Sequence, residues 1–190
     1  MKNIITKTTE LAMEVALKCV KPGDTAVDAT CGAGNDTVTL AEAVGPEGKV
    51  LAFDIQEEAV GLTKERIAEK AMGNVQVING SFVNMESYVE AGSASCIVFN
   101  LGYLPGGDHS ITTDAETTLQ GLEAALRTVK KGGIVTVVLY DGHEEGKREK
   151  AQVLKWAEAL DPKIYHVAYV NFLNQPNDPP EILWITKKKD

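Results

Sequence analysis

This chain has no long apolar run, no paired cysteines and no excess of positive charge, and each absence removes a class of protein. No stretch approaches the roughly 20 apolar residues that a membrane-spanning helix needs. The N-terminal segment MKNIITKTTE lacks the basic and apolar regions of a signal peptide. Together these predict a cytoplasmic protein with no membrane partner. The three cysteines, Cys19, Cys31 and Cys96, are widely spaced and form no CxxC pair, so neither a disulfide framework nor a zinc site is indicated. The acidic residues are scattered and the three histidines are not paired at ligand spacing, so no metal is expected. A formal net charge of −8 and a pI near 5.0 argue against a protein that coats nucleic acid by long-range attraction. A local basic site is compatible with that balance, because exposed charges more than about 8 Å apart are screened at physiological salt. Lys130, Lys131, Lys147, Arg148, Lys150 and the run 187–189 are candidates. Oligomeric state is not addressed by composition, which leaves a homodimer open.

What is present fits one α/β domain spanning residues 1–190. With 190 residues, 44% hydrophobic and 24% charged, such a chain buries roughly 70% of its unfolded surface. Apolar positions alternate between a helical and a strand period. The pattern predicts a leading helix from Thr8 or Thr9 to before Pro22-Gly23, then a strand at Thr25 to Ala29 and a helix at Asp36 to Val44. A strand at Lys49 to Phe53, a helix at Glu57 to Lys70 and a strand at Val75 to Asn79 follow. Next come a strand at Ser95 to Leu101, a helix from about Asp114 to Val129 and a strand at Ile134 to Tyr140, reached through Lys131-Gly132-Gly133. Strands alternating with helices imply a doubly wound parallel sheet covered on both faces. After a helix from about Glu144 to Leu160, the strands Ile164 to Phe172 and Glu181 to Thr186 are joined by NQPNDPP. That link has no room for a crossover helix, so the two strands pair antiparallel or lie apart.

Residues 27–37 read VDATCGAGNDT, a strand end entering a glycine turn and then a helix. Gly32 and Gly34 let backbone N–H groups and the helix N-terminus approach a ligand. Asp54, at the tip of the next strand and twenty residues past Gly34, is placed to accept hydrogen bonds from ribose hydroxyls. These residues describe a nucleotide pocket. Asp36 is also a good N-cap. An NAD-dependent oxidoreductase more often has a third small residue in GxGxxG, where this chain has Thr37.

A parallel sheet closed by an antiparallel last strand is like that of the S-adenosylmethionine-dependent methyltransferases. VDATCGAGNDT resembles their first motif, AFD ending in Asp54 their second, and FNLGYLPGGDH their fourth. More narrowly, DATCGAGNDT, NLGYLPGGDH, VVLYDGH and FLNQPNDPP resemble the YtqB-type rRNA methylase family across nearly the whole chain. The resemblance implies a class I, Rossmann-like fold with a seven-stranded sheet. It also implies S-adenosyl-L-methionine as cofactor, and methylation of the primary amine of 5-aminomethyl-(2-thio)uridine at the tRNA wobble position. The anticodon loop is then the partner.

The residues make chemical sense of this. Asn100-Leu101-Gly102-Tyr103 is similar to the Asn-Pro-Pro-Tyr motif of amino methyltransferases. The Asn100 side-chain oxygen and the next carbonyl accept from an amine, while Tyr103 stacks on an extruded base. Asp108 and His109 are candidate proton acceptors or substrate clamps. On the cofactor side, Asp28 orients the glycine turn or meets the methionine amino group. Asn35 and Asp36 lie at the helix start near the cofactor, Gln56 frames the adenine, and Asn100, Leu101 and Gly102 also border the cofactor. Where many methyltransferases hold the adenine with an acid, this chain has Asn79-Gly80-Ser81-Phe82. Ser81 makes a weaker contact there, and Phe82 packs either on the purine or in the core. His143 faces the cleft. If the strand before them runs parallel to the others, Asn174, Gln175 and Asn177 stand at the same sheet end and read a uracil edge or a 2′-hydroxyl. Cys31 has no role as nucleophile, since pyrimidine C5 methylation would want a cysteine near the fourth motif. Another RNA, such as rRNA, or a small-molecule amine remains as an alternative substrate, the latter favoured by the acidic charge.

Overall fold

In the computed structural model, residues 7–101, 114–140, 142, 144–176 and 179–189 are described. Helix α1, Thr8–Leu17, buries Ala12, Met13 and Ala16 and precedes β1, Thr25–Asp28. Then come α2, Asn35–Val44, β2, Lys49–Asp54, α3, Glu57–Glu69, and β3, Val75–Asn79. Strand β4, Ala94–Asn100, is followed by α4, Ala115–Thr128, β5, Val129–Leu139, and α5, Glu144–Glu158. Strands β6, Tyr165–Val170, and β7, Glu181–Lys187, complete the sheet.

The seven strands lie in the order β3-β2-β1-β4-β5-β7-β6. The first five pair in parallel. Strand β7 is antiparallel to both β5 and β6, so β6 runs in the direction of the first five. The expected α/β sheet with an antiparallel last strand is therefore present. Central strands β1 and β4 read as near-continuous apolar runs, as burial on both faces requires. On one face Phe53, Ile97, Phe99, Met85 and Leu122 form a core under α4 and α5. On the other, Met13, Ala16, Leu40, Val44 and Val98 pack under α1 and α2.

Two local differences from the sequence expectation have simple causes. Strand β5 begins at Val129 because the chain turns straight out of α4, and Val129 pairs with Ala94. Lys131-Gly132-Gly133, expected as a link, forms an irregularity inside the strand. A side chain at Gly133 would lie 2.9 Å from the Ser95 carbonyl oxygen. A 3₁₀ helix at Phe82–Ser87 has no 3.6-residue pattern to announce it. Its buried residues are Phe82 and Met85, three apart as a three-residue turn requires.

The chain order reverses between β1 and β4: β2 and β3 extend one way, and β5 the other. Ligands of open α/β sheets bind at the strand carboxyl ends beside such a reversal. Asp28, Asp54 and Asn100 end the three strands that meet there. Among the described residues no helix is long and apolar enough to cross a membrane, and no three metal-ligating side chains converge.

Candidate active site

The turn between β1 and α2 is held by side chains rather than by its own backbone alone. Asp28 is fully buried. Its carboxylate accepts from the Thr37 hydroxyl at 2.6 Å and from the Thr30 amide at 3.2 Å. Each oxygen takes one of these bonds, so the buried Asp28 ties the start of α2 to the end of β1 and orders the turn. Burial, and next the nearby Asp36, push its pKa up to about 7.

Gly32 and Gly34 both have left-handed φ, 50° and 79°. A Cβ on Gly34 would lie 3.0 Å from Thr63 Oγ1 and 3.1 Å from Thr63 Cα, so only glycine fits against α3. Thr63 in turn donates to the Gly32 carbonyl at 2.9 Å. Gly34 occupies the N-cap position of α2, where no side chain caps the helix. Asp36 lies inside the first turn and is not the cap.

Asp54 points back at this turn. One of its oxygens accepts from the Gly32 amide at 3.0 Å and the other from the Gln56 amide at 3.0 Å. Each carboxylate oxygen has two lone pairs, so each keeps one for an incoming hydroxyl. Ile55 follows, 56% exposed. An apolar side chain left in water beside the carboxylate is a ready platform for a flat ring, and the sequence reading missed it. Its signal was an apolar residue directly after the acidic strand tip. Asn79 donates to the carbonyls of Asp54 and Ile55 at 3.1 and 3.2 Å, which sets that strand end.

Asn100 is held twice. Its backbone N–H donates to Thr30 Oγ1 at 2.7 Å, and its Nδ2 donates to Asp36 Oδ2 at 2.6 Å. Burial raises the Asp36 pKa, opposed by this hydrogen bond. Tyr140, just past β5 and 38% exposed, has its hydroxyl pKa raised by burial and next by Asp36. It is a further aromatic at this edge that the sequence reading did not single out.

Other expected residues are placed differently. Phe82 is in the core, 5.4 Å from Phe99 in an edge-on contact and filling the space over Gly121, so its ring is not available to a purine. Leu101 is 1% exposed, which leaves only its backbone to the cleft. Ser81 caps the 3₁₀ helix by accepting from the Val83 amide. Asn35 receives the Arg66 guanidinium on the outer surface. Asn174 and Gln175 are exposed and hydrogen-bonded to each other at 3.1 Å. They follow β6, whose direction puts them at the same sheet edge as Asn100. Gly102, Tyr103, Asp108, His109, His143 and Asn177 lie outside the described residues. Of the basic candidates, Lys130 pairs with Asp24 at 2.5 Å and Lys150 with Glu181 at 2.5 Å. Cys31 is buried, and burial followed by Asp28 pushes its thiol up to about 12, which removes it as a nucleophile. A depression of about 280 Å³ beside Gly45 and Asn74 lies at the opposite sheet edge, where no comparable polar groups meet.

Residues 50–186 match the family model described as "Putative rRNA methylase". Residues 2–83 also match that of protein-L-isoaspartate(D-aspartate) O-methyltransferase. The chain is 37% identical over 184 residues to a chloroplastic tRNA (mnm(5)s(2)U34)-methyltransferase of Arabidopsis thaliana, across 91% of this chain and 67% of that one. It is 31% identical over 115 residues to demethylmenaquinone methyltransferase of Geobacillus stearothermophilus, of which it spans only 44%. A crystal structure of an rRNA methylase from Streptococcus thermophilus superposes with a TM-score of 0.80 at 29% identity, covering 100% of this chain and 99% of that one. A "putative methyltransferase" from Streptococcus mutans, solved in complex with SAH, superposes with a TM-score of 0.86 at 34% identity, covering 98% and 99%.

Proposed function

The chain belongs to the rRNA methylase family, and from that premise we propose that it methylates the primary amine of 5-aminomethyl-(2-thio)uridine at the tRNA wobble position, giving 5-methylaminomethyl-(2-thio)uridine. It is an S-adenosyl-L-methionine-dependent methyltransferase. The observation that carries the substrate reading is Asn100: its amide nitrogen is taken by Asp36, so its oxygen is the end left to meet a substrate N–H.

The residues at the reversal point fit the cofactor. Asp54 has a free lone pair on each oxygen for the two ribose hydroxyls, and Ile55 offers its exposed face to the adenine. The uncapped amides of the first turn of α2 receive the polar tail. When bound, the cofactor supplies a methyl group on a sulfonium, already activated for transfer. The protein's task is then orientation, which is worth roughly 7–11 kcal/mol when reacting atoms are held in line. Asn100 Oδ1 accepts an N–H and turns the nitrogen lone pair toward the reacting carbon. An aliphatic amine is mostly protonated in water and only its neutral form attacks. Desolvation in the slot lowers its pKa and favours that form.

The wobble base lies in a loop and costs little to extrude, which suits a single domain spanning residues 1–190 that works in the cytoplasm. Tyr103 and Tyr140 are the stacking candidates, Asn174, Gln175 and Asn177 the base readers, and Asp108 and His109 the proton acceptors or substrate clamps. The Arabidopsis relative's name supports the tRNA reading. The second reading, a small-molecule amine, is favoured by the net charge of −8. Incubation with cofactor and tRNA carrying the aminomethyl group, followed by nucleoside mass spectrometry, separates the two. A product heavier by one methyl at the wobble uridine is expected. Turnover of free amines with no effect of RNA overturns the proposal.

A further inference from the structure

Asp36, in the first turn of α2 and bonded to Asn100, constrains what the slot can bind. A side-chain amide is directional: one end only donates and the other only accepts. The Asp36 oxygen that faces Asn100 is the acceptor of this pair. At 2.6 Å from Asp36 Oδ2, Asn100 must therefore present Nδ2 to the carboxylate and turn Oδ1 away. The strand end itself is fixed by the bond from the Asn100 amide to Thr30, so rotation of the amide is the one freedom left, and Asp36 removes it.

The surroundings keep the pair in place. Behind it is a cavity of about 10 Å³ lined by Met13 of α1, Thr136 and Val138 of β5, and the pair itself. That volume holds at most one water, so there is little room on that side of the pair. No lysine or arginine among the described residues forms an ion pair with Asp36, so its strongest partner there is the Asn100 amide.

We infer that Asp36 is a positioning residue, one that sets the sense of the Asn100 amide so that the slot offers an acceptor and selects an N–H group as the site of methylation. A hydroxyl-free acceptor atom or a carbonyl edge meets only repulsion from Oδ1. This rests on the amine reading above for its substrate, and on the Asp36–Asn100 geometry for its cause.

An exchange of the two residues tests it. In Asp36→Asn the packing is kept, but the new amide pairs with Asn100 in either sense. In the double variant Asp36→Asn/Asn100→Asp, the carboxylate stands in the slot as an acceptor-only group, held by an amide donor from position 36. On wobble-aminomethyl tRNA at saturating cofactor, Asp36→Asn is expected to lower kcat by about ten- to a hundredfold, the usual cost of a misdirected positioning group. The KM for tRNA and the affinity for SAH should stay within about threefold, a change under 1 kcal/mol. The exchanged pair is expected to recover several-fold over Asp36→Asn. An unchanged kcat in Asp36→Asn overturns the inference, as does an exchanged pair that binds SAH normally yet is no faster than the single variant. If the unmodified enzyme methylates no amine, the proposed function fails instead. The inference is then decided by the side-chain amide protons of Asn100 in the SAH complex. One shifted strongly downfield and lost in Asp36→Asn supports it; an unperturbed pair of resonances overturns it.

Discussion

The glycine turn after β1 and the connection after β6 stand at the same edge of the sheet and are built in opposite ways. The turn is bonded to β2 through Asp54, to α3 through Thr63 and to its own helix through Asp28 and Thr37. The connection between β6 and β7 is exposed through residues 173–176, and Leu173 is 94% exposed. Its described ties are a bond from Thr8 to the Pro180 carbonyl and contacts among its own neighbours. The turn has the build of a preorganised cofactor cradle, in which fixed dipoles need no rearrangement at the moment of reaction. In the proposed function the connection is the side that meets the tRNA, and exposed loops of this kind commonly carry recognition. The family matches divide the same way. Residues 2–83 match an O-methyltransferase model as well, whereas the rRNA methylase match runs through the later part, over residues 50–186. The glycine turn falls in the O-methyltransferase match and the β6–β7 connection in the rRNA methylase match.

Four substitutions sharpen or break this contrast. Asn100→Ala removes the acceptor from the slot and should lower single-turnover methyl transfer by about 100- to 1000-fold, the usual cost of one preorganised polar group, while SAH affinity holds. Equal losses in both would mean that Asn100 belongs to the cradle. Asp54→Ala should weaken SAH binding by about ten- to a hundredfold, since a charged hydrogen bond contributes about 1.5–3 kcal/mol. Calorimetric titration showing wild-type affinity would remove Asp54 from the cofactor site.

Asp28→Asn acts on stability and has a sign set by pH. The folded-state pKa of Asp28 is raised to about 7 from the ordinary 3.8, so the unfolded chain loses this proton first as pH rises. Below pH 4 both states hold the proton and the residue contributes no pH dependence. Between pH 4 and 7 the folded state holds more protons, and stability falls with rising pH. The asparagine variant keeps a partner for the Thr30 amide and lacks this term. It should gain about 1–3 kcal/mol on the wild type between pH 4 and 7, read from urea unfolding at several pH values. A constant difference across that range would show that Asp28 is not the titrating group. Gln175→Ala, on the looser side, should raise the KM for tRNA only about two- to tenfold, as one neutral hydrogen bond allows. Unchanged tRNA kinetics would take the β6–β7 connection out of recognition.

Much of this contrast was legible beforehand, and for uneven reasons. The strand-helix alternation placed nearly every element within a few residues, because burial on both faces of a parallel sheet imposes an apolar run that few other structures need. The glycine turn and Asp54 were readable because left-handed backbone and a strand-tip carboxylate are constraints on single positions. Phe82 was ambiguous, since an apolar residue after a strand serves a purine or a core equally well, and only the ring of Phe99 and the space over Gly121 decide between them. Ile55 escaped notice because its meaning lies in its exposure, which no periodicity reports. Thr30, Thr37 and Thr63 escaped for a related reason: a threonine hydroxyl has no spacing rule until its partner is known.

By itself the sequence determined the alternation of elements, the bend of left-handed glycines and the acid at the second strand's tip, all of which follow from the chain's local conformational limits. The tertiary structure alone decided that Asp36 and Asn100, 64 residues apart, share a hydrogen bond. It also decided that Asp28 is buried and bonded to Thr30 and Thr37, and that β6 rejoins the direction of the first five strands. Those outcomes depend on which strands become neighbours, and neighbours in a sheet are chosen by the packing of the whole chain rather than by any stretch of it.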